Sequence, residues 1–173
     1  GARIFNSAIA QGVDIVELTG DCDSVMFCLS KGLASPVGSI IAGTKVFIKE
    51  ARRIRKMLGG VMRQTGILAA CGIISLEEMI DRLAEDHDNA RYLANGLEGI
   101  DGFSINLKTV QTNIVCFKFE LPNLSCKEFV GNVTKKGVYV VHLYKDSGRM
   151  VTHMDLNRSD VDYALEVFKD SVF

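Results

Sequence analysis

The 173-residue chain lacks the features that mark membrane proteins, nucleic-acid-binding proteins and zinc proteins. Its 20 Lys and Arg residues nearly balance 21 Asp and Glu residues, so the net charge of −1 gives no electrostatic reason to expect nucleic acid or a membrane surface as a partner. No apolar run approaches the roughly 18 residues of a membrane span, and no secretory signal sequence is visible. The five cysteines include no Cys-x-x-Cys pair and only three histidines occur, so no metal site is expected.

The composition predicts a folded cytoplasmic protein of about one domain. Hydrophobic residues make up 47% of the chain and charged residues 24%, which is enough apolar material for a substantial core. Most cysteines lie in apolar runs, as is typical of reduced core residues in a cytosolic chain. Only two prolines occur, and no Pro-rich linker, repeat or low-complexity segment interrupts the pattern.

The first residues enter an amphipathic helical pattern at once. The chain opens Gly1-Ala2-Arg3-Ile4, without a Met and without a capping residue. Natural domains rarely begin in the middle of a pattern. We therefore expect the 173 residues to be the C-terminal portion of a longer protein.

Hydrophobic spacing and capping residues predict alternating helices and strands in the N-terminal part. Gly12 is placed to end a helix over residues 2–11, and Thr44 to start a basic helix, Lys45–Leu58. The apolar run Val25–Leu29 is typical of a strand buried on both faces of a parallel sheet. The remaining predicted elements are a strand at Val37–Ala42 and a helix at Val61–Ile74.

A long helix is predicted to join this part to a small αβ layer. Ser75 and Glu78 have the spacing of a capping box, which predicts a helix over about Leu76–Leu97 with His87 at an inward, structural position. The predicted strands beyond it are 103–107, 113–119, 138–143 and 149–156, and the predicted helix caps are Ser125 and Ser159. We therefore divide the chain into residues 1–75 and 76–173.

Lys31 is the residue with the clearest chemical potential. It follows Val25–Leu29 in a Ser-Lys-Gly turn, where we expect a partly dry environment. Desolvation disfavours a charged ammonium, so the amine is predicted to be free near neutral pH, as Schiff-base chemistry with an aldehyde requires. Spacing alone leaves a second interpretation open, in which Lys31 simply ends a strand and reaches solvent.

Several short strings, in their order and spacing, closely resemble the low-specificity L-threonine aldolases. The strings are Gly1-Ala2-Arg3-Ile4-Phe5-Asn6, Leu29-Ser30-Lys31-Gly32-Leu33, Pro36-Val37-Gly38-Ser39, Arg52–Gln64, Arg82–His87, Gln111–Val115 and Val151–Asp155. The resemblance covers essentially the whole chain but only the C-terminal half, or slightly more, of the family.

The resemblance implies an α/β protein with the fold-type-I architecture of pyridoxal-phosphate (PLP)-dependent transferases. Residues 1–75 would be the C-terminal part of the PLP-binding large domain, and residues 76–173 the linking helix and the small αβ domain. The implied activity is cleavage of L-threonine or L-allo-threonine to glycine and acetaldehyde with PLP as cofactor. The family also implies a small amino-acid substrate, a role in threonine breakdown and glycine formation, and a homodimer or homotetramer.

Five basic residues receive roles from this resemblance. Lys31 matches the lysine that forms the Schiff base with PLP. Arg3 matches an arginine near the cofactor and the substrate carboxylate, and Arg149 matches a second carboxylate-binding arginine. Lys56 and Arg63 match basic residues that contact the cofactor region, contributed across the dimer interface. A planar guanidinium suits bidentate capture of a carboxylate, which orients the substrate.

The residues alone allow plainer interpretations. Arg3 is compatible with an exposed helix position, and Lys56 and Arg63 belong to a basic stretch of the kind that usually forms a solvated face. For the whole chain, the alternatives are another fold-type-I lyase that catalyses β-elimination, or a non-catalytic dimerisation module. The Lys-Gly-Leu and Gly-Gly-Val-Met-Arg-Gln strings favour the aldolase over the β-eliminating enzyme.

The sequence also departs from the family pattern. The aspartate that binds the pyridinium nitrogen would immediately precede Gly1, and the phosphate-binding loop and two site histidines would lie further upstream. Val61 stands where a third glycine is usual, and Ala34-Ser35 replaces Gly-Ala. We therefore expect the isolated 173 residues to bind PLP weakly and to show little turnover.

Overall fold

The computed structural model describes residues 1–172, which fall into two compact units. Unit 1 is Gly1–Leu83 and unit 2 begins at Ala84, whereas the sequence placed the division between residues 75 and 76. No helix among the described residues combines the length and the apolar character that crossing a membrane would need. Within the same residues, no group of three or more His, Cys, Asp or Glu side chains is arranged to hold a metal ion.

Unit 1 contains two short helices, a two-stranded sheet and two longer helices. They are α1 Ile4–Gln11, α2 Ile15–Thr19, β1 Ser24–Cys28, β2 Ser39–Gly43, α3 Lys45–Met57 and α4 Gly66–Glu78. Gly12 ends α1 in the left-handed conformation, at φ 66°, as predicted. The Thr44 hydroxyl accepts a hydrogen bond from Phe47 N and caps α3, also as predicted.

The predicted buried strand of a parallel sheet is wrong for the described chain. β1 pairs antiparallel with β2, in a register that sets Cys28 opposite Ser39. Every residue of β2 is exposed, and Met26 at the centre of β1 is 47% exposed. Within residues 1–172 no further strand joins this pair. An apolar run shows that a strand favours burial, but burial also requires a neighbouring layer to cover it.

The predicted long helix from Leu76 is also wrong, because two helices occupy this part of the chain. α4 continues through Ser75 to Glu78, and α5, Leu83–Glu98, begins after a short turn. Ser75 is 3% exposed and lies inside α4 instead of capping a helix. A Ser-x-x-Glu spacing is compatible with a helix interior when the serine hydroxyl finds a partner elsewhere.

Unit 2 is an antiparallel sheet covered by helices. Its elements are α5, β3 Phe103–Ser104, a 3-10 turn Leu107–Thr109, β4 Ile114–Phe119, α6 Cys126–Lys135, β5 Val141–Tyr144, β6 Ser147–Val151 and α7 Arg158–Lys169. The strand order is β3-β4-β6-β5, with β4 and β6 in the centre. One face of the sheet carries Phe103, Phe117 and Phe119, whose rings pack with Phe129 of α6 and Phe168 of α7 in the core.

The caps of unit 2 follow the sequence in one helix and differ from it in another. Ser125 and Glu128 form the predicted capping box of α6. α7 is capped by Asn157, with Asp160 completing the box, and not by Ser159 as predicted. The Ser159 hydroxyl instead donates to Asn157 Oδ1 at 2.5 Å, which places it inside the first turn. Asn157 and Ser159 are both residue types that cap helices, and only Asn157 has the extended backbone of a cap.

Candidate cofactor and substrate site

Lys31 lies in a turn that backbone hydrogen bonds tie to the end of β1. Ala34 N donates to Lys31 O at 2.9 Å, Ser35 N donates to Leu29 O at 3.1 Å, and Leu29 N donates to Gly38 O at 2.9 Å. The Lys31 side chain itself is exposed, so the predicted partly dry environment is wrong for the described chain. The covering layer that would exclude water from the amine is not supplied by unit 1. The amine therefore stands on a fixed backbone and is open to a ligand.

Close packing holds this turn from below. A Cβ on Gly32 would lie 2.9 Å from Asn6 Oδ1 and 3.0 Å from Leu83 Cδ2, so any other residue there would require the Asn6 or Leu83 side chain to shift. The Ser35 and Ser75 hydroxyls, both buried, form a hydrogen bond of 2.8 Å that ties the turn to α4. These contacts hold the backbone of the turn that carries Lys31.

Arg3 lies on the helix that supports the lysine turn. It is the N-cap residue of α1 and is partly buried. α1 packs against β1 through an edge-to-face contact of Phe5 and Phe27, whose ring centroids are 5.2 Å apart. Asn6, whose side chain approaches the turn at Gly32, lies in the first turn of α1, three residues after Arg3. Arg3 thus stands at the start of the helix that packs against the lysine turn.

Lys56 and Arg63 are not joined to this region by described contacts. Lys56 is exposed in the last turn of α3, and Arg63 is exposed in the loop before α4. Neither side chain makes a hydrogen bond or an ion pair with any residue between 1 and 172. On the same helix, Arg53 Nε donates to Glu50 Oε1 at 2.9 Å and holds the pKa of that exposed carboxyl below its ordinary value. The role of Lys56 and Arg63 remains a prediction.

Arg149 lies in β6, one of the two central strands of unit 2, opposite Cys116 of β4 and Val141 of β5. Its neighbours Gly148 and Met150 are buried in the core, so Arg149 points to the other face of the sheet. The guanidinium Nε is buried and has no hydrogen-bond partner among the described residues. A buried donor without a partner is costly, and a carboxylate is the group that a guanidinium fork binds best.

Buried polar residues in unit 2 form contacts that the sequence did not predict. The Thr152 hydroxyl donates to Asp86 O at 2.6 Å, and Asn113 Nδ2 donates to Thr152 O at 2.8 Å. All three residues lie in strings that carry the family resemblance, and that was the available signal. His87, predicted to be structural, is 3% exposed; burial, more than the nearby charges, lowers the pKa of its imidazole.

Comparison with protein families decides where the chain belongs. A family model of beta-eliminating lyases matches residues 1–120. The chain belongs to the beta-eliminating lyase family. Within it, the chain is 39% identical to the low-specificity L-threonine aldolase 1 of Arabidopsis thaliana over 173 residues, which covers 99% of this chain and 48% of that protein. The predicted resemblance to these aldolases is confirmed, and the chain spans about half the length of the curated relatives it matches.

Solved structures confirm the fold of this beta-eliminating lyase family member. The threonine aldolase of Leishmania major superposes with a TM-score of 0.75 at 16% identity, covering 100% of this chain and 51% of that one. The structure of SPT with its PLP internal aldimine superposes with a TM-score of 0.66 at 18% identity, covering 92% and 43%. The predicted α/β, fold-type-I architecture is therefore confirmed.

Proposed function

We propose that the protein carrying this chain is a PLP-dependent aldehyde-lyase that cleaves L-threonine or L-allo-threonine to glycine and acetaldehyde. The observation that carries the proposal is identity of 39% to a low-specificity L-threonine aldolase along 99% of the chain. The described geometry is compatible with the proposal. The Lys31 side chain is exposed on a closely packed turn, and the buried Nε of Arg149 has no hydrogen-bond partner among the described residues and could bind an anion.

The residues present fit the cofactor and its substrate by the chemistry of their donors. The Lys31 amine would hold the aldehyde carbon of PLP, and Arg3, Lys56 and Arg63 would lie around the cofactor. Arg149, together with Arg3, would bind the substrate carboxylate and orient the carbon–carbon bond that breaks. When bound, PLP supplies a conjugated ring that accepts the electron pair released by that bond.

The same proposal extends to the setting of the enzyme. Residues 1–75 would belong to the cofactor-binding large domain, and residues 76–173 would form the linking helix and the small domain. The protein would act in the cytoplasm as a homodimer or homotetramer, in threonine breakdown and glycine formation.

The test is made on the full-length protein supplied with PLP. Borohydride reduction followed by peptide mass spectrometry should place the pyridoxyl label on Lys31, and threonine-dependent acetaldehyde release should disappear in Lys31→Ala. Lys49→Ala, an exposed lysine on α3, is the matched control and should keep both label and activity. Labelling of a different lysine, or glycine formation that survives Lys31→Ala, would overturn the proposal.

A second candidate is β-elimination, because the matching family model carries that description. This activity would release pyruvate and ammonia from a substrate with a β leaving group, whereas the aldolase releases acetaldehyde from threonine. Measuring both products from the same preparation separates the two activities.

A further inference from the structure

Asp86, Asn113 and Thr152 are each no more than 1% exposed, although all three are polar. They come from separate parts of unit 2, namely the first turn of α5, the residue before β4 and the residue after β6. Burying polar groups costs free energy unless their hydrogen bonds are made. A buried polar cluster whose hydrogen bonds are made specifies one arrangement of the elements that it joins. It is therefore a candidate for a role in positioning a nearby residue.

Asn113 and Thr152 bond to each other reciprocally. Thr152 N donates to Asn113 O at 3.0 Å, and Asn113 Nδ2 donates to Thr152 O at 2.8 Å. The Thr152 hydroxyl also donates to Asp86 O at 2.6 Å, which ties the end of β6 to the start of α5. The first two hydrogen bonds fix the register of β4 against β6. The third fixes the end of β6 against α5.

This end of the ladder lies three residue positions from Arg149 along β6. The register sets Ile114 opposite Val151 and Cys116 opposite Arg149, so the Asn113 and Thr152 pair continues the same ladder. A strand that slips by one residue turns every side chain to the other face of the sheet. The polar pair holds the register that points Arg149 away from the aromatic core and toward the open face.

We propose that Asn113 and Thr152 are positioning residues for Arg149. By fixing the end of the β4 and β6 ladder against α5, they hold the Arg149 guanidinium where it receives the substrate carboxylate. Only the part of the inference that concerns the substrate carboxylate rests on the proposed function. The positioning of Arg149 itself can be measured without turnover.

The kinetic test compares Thr152→Val with Thr152→Ser in the full-length protein. Loss of the hydroxyl should raise KM for threonine about 10-fold, with a smaller change in kcat, and the serine variant should restore KM to within about twofold. Thr134→Val is the matched control, because the Thr134 hydroxyl donates to Val130 O at 2.7 Å on α6, away from Arg149. It should leave KM unchanged.

A double-mutant comparison separates positioning from general destabilisation. In an Arg149→Ala background, Thr152→Val should raise KM no further, because the guanidinium that it positions is gone. Asn113→Ala, which removes the amide donor to Thr152 O, is the second variant and should behave as Thr152→Val does. A folded Thr152→Val with wild-type KM, or an undiminished effect in the Arg149→Ala background, would overturn the inference.

A readout without turnover keeps this inference distinct from the proposed function. Phenylglyoxal labelling, located by mass spectrometry, should modify Arg149 severalfold faster in Thr152→Val, whereas labelling of the exposed Arg158 should not change. If the protein lacks aldolase activity but Arg149 labelling responds in this way, the proposed function fails and the positioning role stands. Equal labelling of Arg149 in both proteins would refute the positioning role whatever the activity.

Discussion

Replacing Gly148 by alanine should destabilise unit 2, because the added methyl group has no space. Gly148 lies in β6 directly opposite Phe117 of β4 and is buried. A Cβ built there would overlap Phe117 Cζ and lie 2.6 Å from Cε1. The Phe117 ring cannot simply move aside, since it packs on Phe103 with ring centroids 5.1 Å apart.

Overpacking of this kind costs about 1–3 kcal/mol, which corresponds to a Tm about 2–12 °C lower for a chain of this size. Unfolding by heat and by urea is best followed by far-UV circular dichroism, because the chain contains no tryptophan. The side-chain shift should also reach Arg149, the next residue of the strand, and weaken substrate binding in the full-length protein.

Gly131→Ala is the matched control. Gly131 lies inside α6, and a Cβ there would meet nothing within 4 Å. Alanine favours a helix over glycine, so this variant should gain about 0.5–1 kcal/mol. The two substitutions add the same methyl group and are expected to change stability in opposite directions. A Gly148→Ala protein at least as stable as the wild type, or a Gly131→Ala protein destabilised as much as Gly148→Ala, would refute the steric argument.

Three further substitutions test other parts of the structure. Ser125→Ala should lower the unfolding free energy by about 0.5–2 kcal/mol, because it removes the cap of α6; the Glu128 carboxyl, whose pKa the Ser125 hydrogen bonds lower, should then titrate nearer its ordinary value by NMR. His87→Gln should flatten the pH dependence of the unfolding free energy below about pH 6.5. Because burial lowers the pKa of His87 in the folded state, the unfolded chain takes up the proton first, and the wild type loses stability as pH falls. A wild-type stability curve that is flat across this range would contradict the argument. Ser35→Ala should cost about 1–3 kcal/mol by leaving the Ser75 hydroxyl buried without its partner, whereas Ser35→Ala combined with Ser75→Ala should cost less than the sum of the single changes, as urea titrations of the four proteins would show.

Local spacing was enough to predict much of the secondary structure. Gly12, Thr44 and Ser125 act where they were expected, because a helix cap depends on residues within about four positions of it. The same kind of spacing gave wrong helix caps at Ser75 and Ser159. Each serine hydroxyl bonds to another side chain instead of to the backbone of a helix start. The tertiary contact with Ser35 decided the first case, and Asn157 decided the second.

The candidate site divides in the same way. The five predicted site residues were all named from the strings that resemble the aldolases, and the structure adds where each of them lies: Lys31, Arg3, Lys56, Arg63 and Arg149. Arg3 lies on the helix beneath the lysine turn, and Arg149 offers a buried donor, whereas Lys56 and Arg63 stand exposed without described partners. The sequence missed Asn113 and Thr152, since a polar residue reveals its role only when its partner is known.

The sequence by itself determined the family and the helix ends at Gly12, Thr44 and Ser125, because each depends on residue types at short, fixed spacings. Only the tertiary structure decided that β1 pairs antiparallel and is only partly buried, that Ser75 bonds to Ser35, and that Thr152 joins Asn113 across 39 residues of chain. The physical reason is that burial and hydrogen-bond satisfaction depend on which distant segments come together. An apolar run favours burial and a buried hydroxyl requires a hydrogen-bond partner. The tertiary structure determines whether the covering layer and the partner are present.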